Sequence, residues 1–479
     1  MTSKGVDYYF INSSTSGLNV QATNTNGSWA LSPFSVGASP MITKGNCQII
    51  LKFPYVPPSG TFTFATTTQP PLSFTESINA LTGNTSGPLD TMINTPSVTG
   101  NDFAFSYGMF DAGTGSGTGL TNQDQIYAYL TPSQSRWMGA LAATNPSVND
   151  APFASFVLPG AHDVGTFDLS AVNILCGSAA GIAALVAAFL WWIPGASIVA
   201  GLGAAQLKGV IVGEAVTQKD DIAKMLDLGC RYFDFRPGYA PAPIRTILSD
   251  IYHIHNVIPG QSLDAFFQDV LSWLMQNPSE IVVVSLGTAG FYDHQTMDPT
   301  ADTLRSKFAA AQQSTGSTSI QIGAAADLQT SYAALIQANK RLFFLNQPSV
   351  GWYPANKYDS YTDAYETTDP QVIIAALKAM TKSGQQGNDY TVLQLQATAT
   401  GQNVVNNVIA LADSMSNAYE PLMSTKPIMD WNTYPWLLAN VGALSNDQLL
   451  VLLNDFVDNA LAGCVASALT AQRCANPSP

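Results

Sequence analysis

FVLPGAHDVGTF, residues 156–167, runs an apolar stretch into a Pro-Gly turn and delivers His162 and Asp163 to an exposed strand end. It reads as the first strand of a barrel with a catalytic histidine at its mouth. A surface loop that happens to carry a histidine fits the same residues, so the rest of the chain has to supply partners. From Ala151 onward short strands alternate with helical patterns, which points to a parallel α/β sheet or barrel. Strand candidates are Ser155–Leu158, Arg231–Arg236, Ile251–His255, Ile281–Leu286, Arg341–Asn346, Thr391–Gln396 and Leu450–Val457. These fit a barrel with one strand missed or irregular. Ser262 to Gln276 is the plainest helix. Leu263, Phe266, Phe267, Val270, Leu271 and Leu274 keep helical spacing, Ser262 serves as N-cap, and Asn277-Pro278 stops the run.

The chain has four histidines, His162, His253, His255 and His294, and three fall at predicted strand ends. Alternation puts His253 and His255 on one face of their strand, and Tyr232, Asp234 and Arg236 on one face of theirs. Taken singly, each fits a structural salt bridge or a hydrogen-bonded core histidine. Two strand-end histidines beside an Asp/Arg strand are harder to explain that way, because barrels gather such groups where chemistry occurs, near the C-terminal strand ends.

Between Asp168 and Lys208 there is no charged residue. Pro194-Gly195 divides this apolar insertion, residues 169–207, and Trp191 and Trp192 stand just before the break. Three readings stay open: buried packing helices, a hairpin dipping its tryptophans into a lipid interface, or a transmembrane span, for which either half is short.

Residues 1–148 are rich in Ser, Thr, Asn, Gly and Pro. The runs Asp7–Ile11, Cys47–Phe53, Thr61–Ala65 and Gln125–Leu130 predict an antiparallel β-sandwich serving as an accessory module, with a junction over Ala140–Pro152. Residues 149–479 then form the catalytic domain. With 46% apolar and 11% charged residues, the core material is ample and neutral polar groups cover the surface. A formal charge of −14 leaves nothing to track a phosphate backbone, so nucleic acid is not expected as a partner. Cys464 and Cys474 could clamp the tail by a disulfide; Cys47, Cys176 and Cys230 read as small buried residues. The opening MTSKGVDYYF lacks the layout of a secretory signal, although the surface composition suits an exported protein.

Three ordered motifs resemble the X-region of phosphatidylinositol-specific phospholipase C over about 130 residues. They are VLPGAHDVGTF (157–167), LGCRYFDFRPGY (228–239) and IYHIHNVIPGQSLDAFFQDVLSWLMQNPSEIVVVSL (251–286). LLVLLNDFVDN (449–459) is similar to that family's last barrel strand, and residues 1–148 lie outside the resemblance. The resemblance implies an N-terminally extended TIM-like (β/α)8 barrel that cleaves a glycerophospholipid to diacylglycerol and a cyclic or open phosphorylated headgroup. It implies His162 as the base on the inositol hydroxyl, Asp455 as the carboxylate orienting it, and His255 as the acid on the diacylglycerol oxygen. His253 is the alternative acid. Asp163 and Asp234 match the carboxylates beside the histidines, and Arg236 matches the arginine that stabilises the charged phosphoryl group.

In-line displacement at phosphorus needs one base and one acid on opposite sides, and imidazoles near their ordinary pKa serve both roles. Calcium-dependent relatives carry Asn after the first histidine and an acidic pair on the second strand. Asp163 and Arg236 stand there instead, so no metal and no cofactor are expected. The lysine some bacterial relatives place after the strand ending Ser285-Leu286-Gly287 is missing, so the headgroup contact it makes there is not expected here. Trp352, Tyr353, Tyr434 and Trp431 are candidates for substrate stacking, and Trp191 and Trp192 for membrane contact. The expected protein is a secreted monomer acting peripherally on a phospholipid membrane surface. Its rivals are a catalytically silent lipid- or glycan-binding protein and a toxin that inserts residues 169–207.

Overall fold

The computed structural model describes residues 5–475 except 25–26, 30, 52–58, 80–84, 87–92, 94, 111–122, 193–200, 292, 348–349, 353, 361–366, 381–386, 399–410, 412–420 and 441–446. Its larger part is mixed α/β. Eight strands pair side by side in the order Gln321–Gly323, Lys340–Asn346, Val282–Leu286, Tyr232–Phe235, Val157–Ala161, Leu449–Asn454, Tyr390–Gln394 and Tyr358–Ser360. Every neighbouring pair is parallel. Parallel strands are covered on both faces, which is why Val157–Ala161 and Leu449–Asn454 are buried along their whole length.

Side chains alternate between two cores. Tyr232 packs inward with Phe343, Tyr390, Val451 and Leu453, while Phe233 and Phe235 face the helix Leu263–Gln276. That helix starts where the sequence places it, with Ser262 Oγ accepting from Ala265 N, and its predicted apolar face is buried. Each large apolar side chain so covered contributes about 2 kcal/mol at most. An isolated parallel bridge joins Asn346 to Ala355, and Asn356 N donates to Asn346 O (3.0 Å). It ties the end of one strand to the segment entering Tyr358–Ser360, near the opposite edge of the sheet order.

Ile251–His255 departs from expectation. It is the middle strand of a small antiparallel sheet, between Pro237–Tyr239 and Ile258–Ser262. Asn256 adopts a left-handed conformation (φ 58°), so the chain reverses within two residues, whereas a parallel return would need a long crossover. Phe153–Ser155 forms a 3-10 turn, which moves the start of the first strand to Val157. The expected junction over Ala140–Pro152 overlaps two helices, Trp137–Thr144 and Pro146–Asp150.

The N-terminal portion holds a six-stranded and a five-stranded sheet that share one core, with Val6, Phe10 and Phe105 from one sheet meeting Leu18, Phe62 and Phe64 from the other. Pairing is antiparallel except that Gly5–Asn12 runs parallel to Asp124–Thr131. These sheets do not stand apart from the rest. Tyr9, Tyr127 and Tyr129 enter the core formed by Met429, Tyr434 and Leu461, and Asn459 Nδ2 donates to the carbonyls of Ala104 and Tyr129 (2.9 Å each).

The apolar insertion begins as two helices, Ser170–Cys176 and Ala179–Trp192, whose axes turn by 113° over the described part. Among the described residues no single helix is long and apolar enough to cross a membrane. Val172, Leu175, Leu185 and Leu207 pack with Ile211, Ile244 and Leu248, while Ile174 is exposed. The side chains of Trp191 and Trp192 lie outside the described residues. All five cysteines are free thiols, so the expected Cys464–Cys474 clamp is corrected. The chain from Leu461 to Ala475 is helical, and ten residues of helix separate the two by about 15 Å, beyond disulfide reach.

Candidate active site

The sheet delivers its charged residues to one place. His162 follows the strand Val157–Ala161, Asp234 and Arg236 come from Tyr232–Phe235 and its exit, and Asp455 follows Leu449–Asn454. Two glycines permit the closeness. A Cβ on Gly165 would lie 2.3 Å from His253 Cβ, and one on Gly260 would lie 2.2 Å from the Gly165 carbonyl. The turn after His162 therefore packs flat against the antiparallel sheet that carries His253 and His255. Asp163 (φ 43°), Asn256 (φ 58°) and Phe456 (φ 48°) are left-handed, and each directly follows His162, His255 or Asp455.

Asp163 is the hub, fully buried. Its carboxylate lies 3.2 Å from His162 Nε2, 3.0 Å from Arg236 Nε, 3.4 Å from His253 Nε2 and 3.8 Å from His255 Nε2. Arg236 reaches Asp234 Oδ2 through Nη2 (3.0 Å), and the same nitrogen stands 3.4 Å from His162 Nε2. His162 Nδ1 meets Asp455 Oδ1 at 2.8 Å. His162 and His255 keep 20% and 13% of their side chains exposed. His253 is sealed, edge-on to the Phe235 ring, and its Nδ1 accepts from Arg236 N (3.2 Å). His255 Nδ1 donates to the Ala215 carbonyl (3.2 Å), which leaves its Nε2 unprotonated toward the site when the ring is neutral.

The electrostatics divide the two exposed histidines. Burial pulls the His162 imidazole down, but the carboxylates of Asp163 and Asp455 overcome it and hold the ring up at about 9. Burial depresses His255 to about 4, with Arg236 and His162 adding to it against the pull of Asp163. Asp163 resists burial through Arg236 and the histidines and stays well below the usual carboxylate range. Burial raises Asp455 despite its His162 partner. At neutral pH the free site thus holds a His162 imidazolium facing a neutral His255.

His162, Asp163 and Asp234 present ligand atoms within 4.8 Å of one another, a spacing a metal ion could use. The Arg236 guanidinium bridges the two carboxylates of that group and puts a fixed positive charge where a cation would bind.

Other expected contacts fall elsewhere. Trp352 is buried among Phe267, Phe308 and Phe344, and Tyr434 is buried with its hydroxyl on Asp458 Oδ2 (2.7 Å) and Asn454 Nδ2 (3.3 Å). Trp431 sits under the Lys44 ammonium (3.8 Å), against the N-terminal sheets. Tyr353 lies outside the described residues. Sequence reasoning missed Tyr358, 40% exposed, stacked on Tyr390 (5.1 Å) and within the fields of Asp234 and Arg236. Its strand is three residues long, too short to show a period. Thr217 and Gln218 were missed as well. Both donate to the His162 carbonyl, at 2.9 and 3.0 Å, from a polar stretch that resembles a surface loop.

No family model matches the chain. It is similar to PI-PLC X domain-containing protein 1 of Mus musculus, 24% identical over 152 residues, which are 32% of this chain and 39% of that protein. The Homo sapiens protein of the same name is 24% identical over 149 residues, 31% of this chain and 40% of its own. The chain therefore spans about two fifths of the length of the curated relatives it matches. Among solved structures, the phosphatidylinositol-specific phospholipase C of Listeria monocytogenes aligns with a TM-score of 0.42 at 12% identity, covering 71% of this chain and 98% of that one. A Staphylococcus aureus phosphatidylinositol-specific phospholipase C aligns with a TM-score of 0.40 at 15% identity, covering 71% and 97%. The chain is thus similar, over about a third of its length, to proteins that carry a PI-PLC X domain.

Proposed function

We propose that the protein is a metal-independent phosphodiesterase that cleaves a phosphatidylinositol-like glycerophospholipid to diacylglycerol and a phosphorylated headgroup. One observation carries the reading: two part-exposed histidines and the part-exposed Arg236 surround the buried Asp163, while Asp234, His253 and Asp455 are sealed. A phosphodiester seated against Arg236 would gain a charge-assisted contact as negative charge grows on its non-bridging oxygens, an effect of about 3 kcal/mol in comparable clamps. The two imidazoles then serve as base and acid on either side of phosphorus.

In this reading the parallel sheet is the wall of a TIM-like barrel, a closure supported by the Asn346–Ala355 bridge. Residues 1–148 are an accessory domain packed onto that barrel and inseparable from it, and the insertion at 169–207 meets a membrane peripherally from outside the cell, a role the exposed Ile174 favours.

The family resemblance assigns the base to His162 and the acid to His255. The free site favours the reverse, because both ring nitrogens of His162 face carboxylates at 2.8 and 3.2 Å and bind protons there. Replacement of the diacylglycerol bridging oxygen by sulfur, tested on His162→Ala and His255→Ala in turn, separates the two assignments. A sulfur leaving group needs little protonation, so it restores turnover to a variant lacking the acid and not to one lacking the base.

Phosphorus NMR of phosphatidylinositol vesicles with protein and chelator tests the function itself. A cyclic inositol phosphate signal is expected, and it should vanish in His162→Ala and in His255→Ala. Full headgroup release by His162→Ala, or loss of release on adding chelator, would refute the proposal.

A further inference from the structure

The link between the apolar insertion and the second motif, Val216–Asp221, runs through the middle of the molecule, and Val216 through Asp220 are buried. On one side it holds the main chain around His162 and Asp455. Thr217 Oγ1 donates to the His162 carbonyl (2.9 Å), and Gln218 Nε2 donates to the carbonyls of His162 (3.0 Å) and Asn454 (3.1 Å). Gln218 Oε1 accepts from Val457 N (3.0 Å), and the Thr217 carbonyl accepts from Phe456 N (2.6 Å), so the turn that aims Asp455 hangs from the same two residues. Ala215, immediately before, supplies the carbonyl that holds His255 Nδ1.

On the other side the link is gripped by the N-terminal sheets. Lys219 Nζ donates to the carbonyls of Thr95 and Tyr107 (2.6 Å each), over the Tyr107 and Tyr127 rings. Asp220 accepts from Ser97 N and Ser97 Oγ (2.7 Å each). A charged pair buried against main-chain groups of another sheet system is costly to displace. Surface loops that merely connect two elements carry no such anchors.

We propose that Val216–Asp221 is a positioning strap: Thr217 and Gln218 set the His162–Asp455 geometry, and the N-terminal sheets hold the strap through Lys219 and Asp220. The N-terminal sheets are then a working part of the site and not a separable module. Only the kinetic readout of this proposal rests on the phosphodiesterase reading.

The test uses the full chain with Gln218→Met, Lys219→Met and Ser97→Ala, the last removing a single side-chain bond at the far end of the strap. With four histidines, the His162 imidazole can be followed by NMR titration while circular dichroism reports folding. The His162 midpoint should fall by about one pH unit in Gln218→Met as its contact with Asp455 loosens, and less in Lys219→Met and Ser97→Ala. Turnover on phosphatidylinositol vesicles should drop about tenfold with KM unchanged. Folded variants with a lowered melting temperature but an unmoved His162 midpoint would overturn the proposal. If Gln218→Met does not fold, the midpoint in Ser97→Ala decides. Wild-type protein that releases no headgroup refutes the phosphodiesterase reading, and the titration then judges the strap alone.

Discussion

Asp455→Asn separates an orienting carboxylate from a bystander. The His162 Nδ1–Asp455 Oδ1 contact is 2.8 Å long, between a part-exposed imidazole and a buried carboxylate. A hydrogen bond to a charged group there is worth about 1.5–3 kcal/mol. At about 1.4 kcal/mol per pH unit, its loss should lower the His162 midpoint by about one to two units. Asp163, still 3.2 Å from Nε2, retains the remainder of the elevation. Activity should follow the state in which the histidine pair shares one proton, rising with pH through about 4 as His255 deprotonates and falling through about 9 as His162 does. In Asp455→Asn the basic limb should move to about 7–8, and kcat should fall about 10^3 to 10^4-fold, as when a triad aspartate is replaced. The assay is the pH profile of kcat/KM on phosphatidylinositol vesicles beside the NMR titration of His162. A basic limb that stays near 9 in the variant would refute the pairing.

Arg236→Met should reduce kcat by about 10^2 to 10^3-fold, and Arg236→Lys should restore little of it, since a point charge cannot bridge Asp163 and Asp234 as the guanidinium fork does; kinetics on the folded variants check this. The pair Arg231–Glu280 is sealed at 2.8 Å, with Arg231 also donating to the Ser135 carbonyl, so Glu280→Ala should destabilise by about 3–5 kcal/mol in urea unfolding. Stability should peak near pH 6.5 in thermal melts. His162 is held above its ordinary 6.5, so its contribution is complete below that pH and is lost as pH rises towards 9; His255 is held below 6.5, so its contribution is complete above that pH and is lost as pH falls towards 4. Each limb amounts to roughly 3 kcal/mol by linkage.

The strand-end histidine was legible because a Pro-Gly turn after an apolar run is a local signal, and alternation correctly grouped Asp234 with Arg236 and His253 with His255. What alternation lacks is direction. It could not tell that Ile251–His255 pairs antiparallel, because that depends on Asn256 adopting φ 58°. Nor does it report depth: Trp352 and Trp431 look alike in sequence, yet one is enclosed by phenylalanines and the other lies beneath Lys44 at the N-terminal sheets. Thr217 and Gln218 act through bonds to main chain 55 or more residues away, which leave no periodic trace. The division of the chain into an accessory and a catalytic part followed composition, and composition is blind to Asn459 reaching into the N-terminal sheets.

The left-handed residues behind His162, His255 and Asp455 bear on how this protein tolerates change. A non-glycine side chain at positive φ costs on the order of 1–3 kcal/mol, least for Asp and Asn and most for a bulky ring such as Phe456. Glycine at those three positions would remove that cost and also free the bends that aim the reacting groups. Variants selected for heat resistance alone should therefore accumulate there at the expense of turnover, whereas selection for turnover should retain the strained bends and gather its stabilising changes elsewhere.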